Sequence, residues 1–298
     1  MAAERLNAVL LDGKYCPQLI GGPMELDEAK RQTQKQWDGD PCGAVTVKGI
    51  EPGTVSFYRE ARRYRYEVYA PWFREMMRFG EWRGKEVLEI GVGIGSDHHS
   101  FASSGASMTG LDLSREHLRH TRRHLELEGL STNLHYGDAE ASPFPDNTFD
   151  LVYSFGVLHH TPNTQKSIDE VFRVLKPGGT ALIGVYHRNS LFYWAGVVLY
   201  WGIFRGGLVT KGYKKLISEI EFRSPENTAV PLVKTYSRIE VRELFRNFAN
   251  LDLKTCHANS GRLTKPMRWL LGGLSEAEFE RRFNRLGWYL IARAQKPL

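Results

Sequence analysis

The chain has 298 residues, 42% of them hydrophobic, and a mean hydropathy of −0.39, values that suit a soluble globular protein with a full core. A net charge of +6 is spread along the chain with no RNA-binding module signature, so nucleic acid is not an expected partner. Cys16, Cys42 and Cys256 lie far apart, with no C-x-x-C pair or Cys/His cluster, and residues 1–11 lack a signal-peptide pattern; no metal and a cytoplasmic location are expected.

Residues 24–40 are charged and read as a short helix, followed by a turn-rich loop from Trp37 to Gly43. Trp37 is expected to anchor this arm to the core, while Trp37 and Cys42 are also candidates to fold over a ligand. From Thr54 to Phe79, Phe57, Ala61 and Tyr64 follow helical spacing, and Pro71 opens a second helix with Trp72, Phe73, Met76 and Met77. Residues 1–80 are thus an N-terminal arm and helical cap, and 81–298 the main domain.

Val87, Leu88 and Ile90 form the apolar run of a buried parallel strand. Gly91, Gly93 and Gly95 then allow a sharp turn, and Ser96 or Asp97 caps a helix. The spacing is G-x-G-x-G, not the G-x-G-x-x-G that cradles a pyrophosphate. Glu89, just before it, would repel a pyrophosphate but can pair with an ammonium group, as in S-adenosylmethionine (SAM).

The second strand, Ser107–Asp112, ends in a carboxylate 17 residues after Gly95, where a ribose-binding acid belongs. The helix that follows carries Arg115, Arg119, Arg122, Arg123, His117, His120 and His124, expected as a solvated face. Asn133–Tyr136 is a third strand, followed by Gly137-Asp138-Ala139-Glu140. Asp138 can accept an adenine amine, and Ala139 leaves room for the ring. Phe149–Ser154 is the fourth strand. His159 and His160 follow it in a loop, then a helix with Thr164 as its cap. Leu175-Lys176-Pro177-Gly178-Gly179 leads into the fifth strand, which ends at Tyr186-His187.

Leu191–Phe204 has no charge and is too short to span a bilayer, which needs about 20 apolar residues. It reads as a buried lid helix; the sharper alternative is a lid over a greasy substrate that also touches a membrane surface. Capping boxes at Ser237/Glu240 and Ser275/Glu278 start two further helices. Strands at Leu251–Cys256 and Trp288–Ala294 follow them, joined by a long connection.

The segments Leu88–Gly95, Gly110–Asp112, Gly137–Glu140, Phe144–Asp150 and Leu175–Gly179 occur in one order and spacing. In them the chain resembles the class I SAM-dependent methyltransferases, near the ubiquinone/menaquinone-biosynthesis and small-molecule methyltransferase group. The resemblance implies an α/β fold: a Rossmann-like doubly wound sheet of seven strands with an antiparallel last hairpin. A helical cap precedes the sheet, and a lid insertion spans about 188–236. It implies SAM as cofactor, held by Glu89, Gly91, Gly93, Gly95, Asp112, Leu113, Asp138, Ala139 and Ser154. Tyr58, Tyr64, Tyr66 and Tyr69 become candidates for the cofactor carboxylate or the acceptor. His159 and His160 are the candidate bases, with Tyr186 and His187 in reserve. The expected activity is methyl transfer to a small apolar or aromatic acceptor. S-methylation of a small thiol, a non-catalytic SAM-binding subunit and a nicotinamide oxidoreductase stand as alternatives.

Overall fold

A computed structural model describes residues 9–11, 14–16, 19–20, 26–221, 224–263, 268 and 273–298. Residues 24 and 25 of the expected first helix lie outside this set. Ten strands are described: β1 (Val9–Leu11), β2 (Lys14–Cys16), β3 (Leu19–Ile20), β4 (Glu86–Ile90), β5 (Ser107–Asp112), β6 (Asn133–Tyr136), β7 (Phe149–Phe155), β8 (Leu175–Tyr186), β9 (Ala249–Cys256) and β10 (Tyr289–Gln295). β1 and β2 form a separate hairpin. The others form one sheet in the order β3-β6-β5-β4-β7-β8-β10-β9. Seven of its strands are those expected from the sequence. The two-residue β3 was not; it adds the N-terminal arm to the sheet edge, parallel to β6.

β4, β5, β6, β7 and β8 run parallel; β10 pairs antiparallel with β8, and β9 antiparallel with β10. From β4 the chain winds outward to β5 and β6, then restarts on the other side with β7 and β8. The reversal leaves a crevice at the carboxyl ends of β4 and β7, where ligands bind in sheets of this kind.

The unbroken apolar runs follow from burial on both faces. In β7, Leu151 and Tyr153 pack with Phe73, Met77, Phe101 and Trp288, whereas Val152 packs with Leu88, Ile168, Val171 and Leu290 on the other side. Each strand thus feeds two cores through its side-chain alternation.

The helix ends differ in detail from expectation. The helix Ser96–Ser103 is capped by Gly95 in a left-handed conformation, not by Ser96 or Asp97, which lie inside its first turn. Asn163, not Thr164, caps Thr164–Val174 by accepting from the Lys166 N–H. The second aromatic helix begins at Phe73, after a turn at Pro71, and residues 64–69 wind as a wider π-helix. Both expected capping boxes form.

The insertion after β8 leaves and returns at one point. His187 bridges Tyr236, and the Arg188 N–H donates to the Tyr236 carbonyl at 2.8 Å. Within it, Phe192–Phe204 winds as a π-helix. Tyr193 and Val197 are buried in the core around Trp288, while Trp194, Trp201 and Phe204 are exposed. No described helix is long and apolar enough to cross a membrane.

Candidate functional site

A cavity of about 370 Å³ opens at the carboxyl ends of β4, β5, β7 and β8. One half is polar, lined by Lys30, Arg65, Glu89, Asp97, Asp112 and Asp138; the other is aromatic, lined by Trp37, Tyr69, Phe155, Tyr186, Trp288 and Tyr289.

The glycine turn forms the floor. Gly91, Gly93 and Gly95 all have positive φ. At Gly91 (φ +83°) a Cβ would lie 2.1 Å from the Val157 side chain, so both conformation and contact require glycine. Gly91 and Gly93 line the cavity; Gly95 does not, because it has turned away to cap the helix.

Asp112 faces the cavity with its carboxylate already organised. Oδ2 accepts from the Val92 N–H at 2.8 Å and the Gly93 N–H at 3.4 Å, and Oδ1 from the Ser114 N–H at 2.8 Å. The Cys42 N–H donates to His117 Nε2 at 3.0 Å, so the His117 proton sits on Nδ1 and is donated to Asp112 Oδ2 at 3.0 Å. His117 thereby ties the 40–43 loop to the glycine turn.

Asp97 forms a second anchor. Arg65 grips it with two hydrogen bonds, one through Nε at 2.6 Å, and the hydroxyls of Tyr66 and Tyr153 donate at 2.8 and 2.6 Å. Burial works against the Arg65 charge, but Asp97 outweighs it and holds the guanidinium ionised. This pair, unremarked in the sequence, could hold the amino-acid end of a cofactor.

Glu89 also lines the cavity. Its Oε2 is 2.8 Å from His98 Nδ1, and His98 Nε2 is 2.6 Å from Thr132 Oγ1. The Thr132 hydroxyl donates to the Met108 carbonyl, so it accepts from His98, whose Nδ1 is then left to accept a proton from Glu89. Burial favours the same arrangement, raising the Glu89 pKa well above the usual range and lowering that of His98 to about 3. Glu89 thus has the acid's proton to give up when an ammonium group arrives.

Asp138 is engaged from the N-terminal helix Glu28–Gly39. Lys30 Nζ donates to Asp138 Oδ2 at 2.7 Å and to Glu140 Oε2 at 2.9 Å. An adenine amine at Asp138 would share these oxygens. Leu113 and Ala139 line the cavity beside it, whereas Ser154 is fully buried and donates to the Ile90 carbonyl at 2.9 Å. Ser154 therefore supports β4 without facing the ligand space.

The four candidate catalytic residues separate in the same way. His160 and Tyr186 line the cavity; His159 and His187 do not. His159 is fully buried behind Tyr186, their ring centroids 3.8 Å apart. His187 Nδ1 donates to the Gly287 carbonyl at 3.0 Å and helps close the insertion. Burial pushes the His159 pKa well below the usual imidazole value, with His160 adding to the effect. Tyr186 stays protonated through burial and the nearby Glu221 charge.

The roof joins two distant segments. Asp40 Oδ2 accepts from the Ser224 N–H and from Asn227 Nδ2, both at 2.8 Å, so the N-terminal loop is tied to the insertion. Trp37 and Cys42 both line the cavity. Ile220 and Glu221 are the insertion's contribution to the wall. Leu191–Phe204 contributes none; Phe192 instead packs edge-on against Trp288 at 5.0 Å, one layer behind it.

Among the tyrosine candidates, Tyr64 and Tyr69 line the cavity, Tyr66 holds Asp97, and Tyr58 stacks on His124 at 4.3 Å, away from the cavity. The expected solvated face of the helix Arg115–Leu127 is a correction. His117, His120 and His124 are buried against the glycine turn and the cap. Their i, i+3, i+7 spacing is the signal that distinguishes them from the arginines beside them.

Residues 88–183 match the methyltransferase domain family model described as "Methyltransferase domain". The ubiquinone biosynthesis O-methyltransferase of Psychrobacter cryohalolentis is 32% identical over 201 residues, 66% of this chain and 73% of that protein. The sterol 24-C-methyltransferase ERG6B of Gibberella zeae is 39% identical over 106 residues, 35% of this chain, and there the chain spans only 27% of the relative's length. Among solved structures, the cyclase SpnF shares the fold with a TM-score of 0.56 at 18% identity, over 91% of this chain and 97% of that one.

Proposed function

The chain belongs to the class I SAM-dependent methyltransferases, and from that premise we propose that it transfers the SAM methyl group to a small apolar or aromatic acceptor. The observation that carries the acceptor class is the aromatic half of the cavity. Phe155 and Tyr289 lie 4.6 Å apart and Tyr186 and Trp288 4.4 Å apart, beside the polar cofactor half. Ring surface of this kind favours a flat, greasy acceptor, and each well-buried side chain contributes about 1.5–3 kcal/mol.

The cofactor is S-adenosylmethionine. Arg65 and Glu89 would hold its amino-acid end, Asp112 its ribose, and Asp138 with Ala139 its adenine. Transfer is an in-line displacement at a methyl group already activated by the sulfonium charge. The protein's tasks are to align the partners, exclude water and help the nucleophile lose its proton. His160 is the side chain available for the last task; Tyr186, held protonated, can only donate a hydrogen bond there. A non-catalytic subunit is not favoured, because the ubiquinone-biosynthesis relative is an O-methyltransferase. S-methylation of a small thiol remains the runner-up.

A second element of the proposal is contact with a lipid surface. Trp194, Trp201, Ile203 and Phe204 are each more than half exposed, and Arg205, Lys214 and Lys215 lie nearby on the surface. An apolar patch flanked by cations suits an anionic membrane holding an apolar acceptor.

The test is calorimetry with SAM and S-adenosylhomocysteine, followed by transfer assays on a quinol, a charged phenol of equal size and a small thiol. Preference for the quinol is expected. Equal rates on the charged and apolar acceptors would overturn the acceptor class, and absence of SAM binding would overturn the whole proposal.

A further inference from the structure

We propose that His159, His160 and Glu221 bind one divalent first-row transition ion of the zinc type at the wall of the acceptor half. The inference rests on the reading above for what that half of the cavity receives.

One donor atom from each of the three residues lies within 4.8 Å of the other two, and all three residues are buried. His160 Nε2 and Glu221 Oε1 are 3.8 Å apart, too far for a hydrogen bond. An ion bound at about 2.0–2.2 Å holds its donors roughly 3–4 Å apart, so small side-chain rotations close the set.

The decisive feature is the unmet valence. Both ring nitrogens of His159, Nε2 of His160 and Oε1 of Glu221 are buried without a hydrogen-bond partner. Burying such atoms unanswered is costly, because their hydration is lost and nothing replaces it. A neutral imidazole carries one lone pair, so His159, His160 and Glu221 supply three unanswered lone-pair donors in one place, which points to a missing ligand that accepts lone pairs.

The His160 tautomer fits. Its Nδ1–H donates to the Leu232 carbonyl at 2.6 Å, which leaves the Nε2 lone pair free on the side of Glu221. A backbone carbonyl behind a ligating imidazole is the usual way such a ring is oriented. On the other partner, the Glu221 carboxylate lies close enough to the Tyr186 phenol that burial and its charge together hold that phenol protonated.

A second cluster shows the contrast. His99, His124 and Glu128 are equally close together. There His124 Nδ1 is bound to the Ile94 carbonyl at 3.0 Å, Arg62 takes His124 Nε2 and Glu128, and His99 pairs with Glu128 at 3.1 Å. Its donors are spent and an arginine sits among them, so it is not a cation site.

Three protein ligands leave coordination positions open, the pattern of a catalytic site. His160 and Glu221 face the cavity, so an acceptor hydroxyl or thiol can reach the ion. The ion favours the ionised nucleophile, whose proton passes to solvent water. The nucleophile's oxygen or sulfur then bonds to the methyl carbon as the carbon–sulfur bond of SAM breaks and neutral S-adenosylhomocysteine leaves. His160 then serves the nucleophile as a ligand rather than as a proton acceptor. Sequence spacing conceals the set, because Glu221 lies 61 residues beyond His160.

The full chain, stripped with chelator and dialysed, is titrated with Zn²⁺ by calorimetry and with Co²⁺ by visible absorption. One equivalent is expected, with ligand-field bands in the cobalt form. Glu221→Gln keeps the shape of the side chain and should weaken binding about 100-fold; Glu128→Gln should leave it unchanged. S-adenosylhomocysteine affinity, measured on the same samples, separates the two proposals. If wild type binds S-adenosylhomocysteine but no ion at one equivalent, the gap holds only water and the metal site is overturned. The same follows if Glu221→Gln binds as wild type does. An ion bound without S-adenosylhomocysteine would leave the site standing and overturn the methyltransferase reading instead.

Discussion

In the polar half of the cavity, Asp97 is met by Arg65, Tyr66 and Tyr153, and Asp112 by three backbone N–H groups and His117. In the aromatic half, His159, His160 and Glu221 converge with atoms that nothing answers. The first half is organised before any ligand arrives, so its binding energy is not spent on reordering side chains. The second half is shaped but incomplete, as expected where a variable acceptor and its activating group must enter. A fold can thus keep one half constant for the cofactor and vary the other for the acceptor.

The largest test of this contrast is acid, acting on the support of the polar half. His120 and His124 lie buried on the helix behind the glycine turn, and burial chiefly lowers their pKa values to about 4 and about 3. Glu116 partly offsets the effect at His120, whereas Arg62 adds to it at His124. In the unfolded chain imidazole takes a proton near pH 6.5, so below that pH the unfolded state binds more protons. Stability is therefore full above about pH 6.5 and falls as pH falls. Each histidine contributes about 1.4 kcal/mol per pH unit, so the two cost about 5 kcal/mol between pH 6.5 and 4.5. Denaturant midpoints at pH 7, 6 and 5 check this, and a flat profile would refute it. His124→Gln should make the slope shallower.

Next in size is Asp97→Ala. It strips a buried arginine of its counter-charge, a change that costs about 3–5 kcal/mol. The lower end is expected, because Arg65 keeps a quarter of its side chain exposed. Urea melts measure the loss, and SAM affinity should fall with it. Stability within about 0.5 kcal/mol of wild type would show that the pair is not the anchor described above.

Asp112→Ala should weaken S-adenosylhomocysteine by about 1.5–3 kcal/mol, the worth of hydrogen bonds to a charged acceptor. Calorimetry at pH 7.5 reads it directly. Unchanged affinity would remove Asp112 from the ribose assignment. The acceptor half should respond differently: His160→Ala should lower the maximal rate about 10²–10⁴-fold while S-adenosylhomocysteine affinity holds. A variant that loses both would dissolve the distinction between the halves.

What the sequence made legible follows the same division. The glycine turn, Glu89, Asp112 and Asp138 sit in short local patterns at strand ends, so spacing finds them. The short apolar runs of the central strands are readable for the same reason, whereas the antiparallel last pair comes from the family resemblance. The partners that complete the site are not local. Lys30 reaches Asp138 across 108 positions, Arg65 reaches Asp97 across 32, and Asn227 reaches Asp40 across 187. Spacing cannot show a contact made by two segments folding over one sheet edge. His159 and His160 looked alike in the sequence, yet a tight turn at Leu158–His160 sends one ring behind Tyr186 and the other into the cavity. Arginines surround the histidines near the glycine turn in sequence and hide their burial, because one helix carries both faces.

The smallest effect on stability is expected where the proposed lipid contact lies. Trp194, Trp201 and Phe204 are 55%, 51% and 82% exposed, so replacing all three by Ser removes little folded contact. Surface changes of this kind usually stay within ±0.5 kcal/mol each, and the melting temperature should barely move. Flotation with anionic vesicles should change much more. Each aromatic side chain buried among lipid chains is worth about 1.5–3 kcal/mol, and each nearby lysine or arginine adds about 1 kcal/mol at an anionic surface. Wild type should float with phosphatidylserine vesicles and less with neutral ones, while the triple variant stays at the bottom in both. Activity on a water-soluble acceptor should be untouched, because none of the three lines the cavity. If the triple variant floats as well as wild type, the patch serves some other contact. If its turnover of soluble acceptor collapses while its fold holds, the segment behind Trp288 shapes the acceptor half after all.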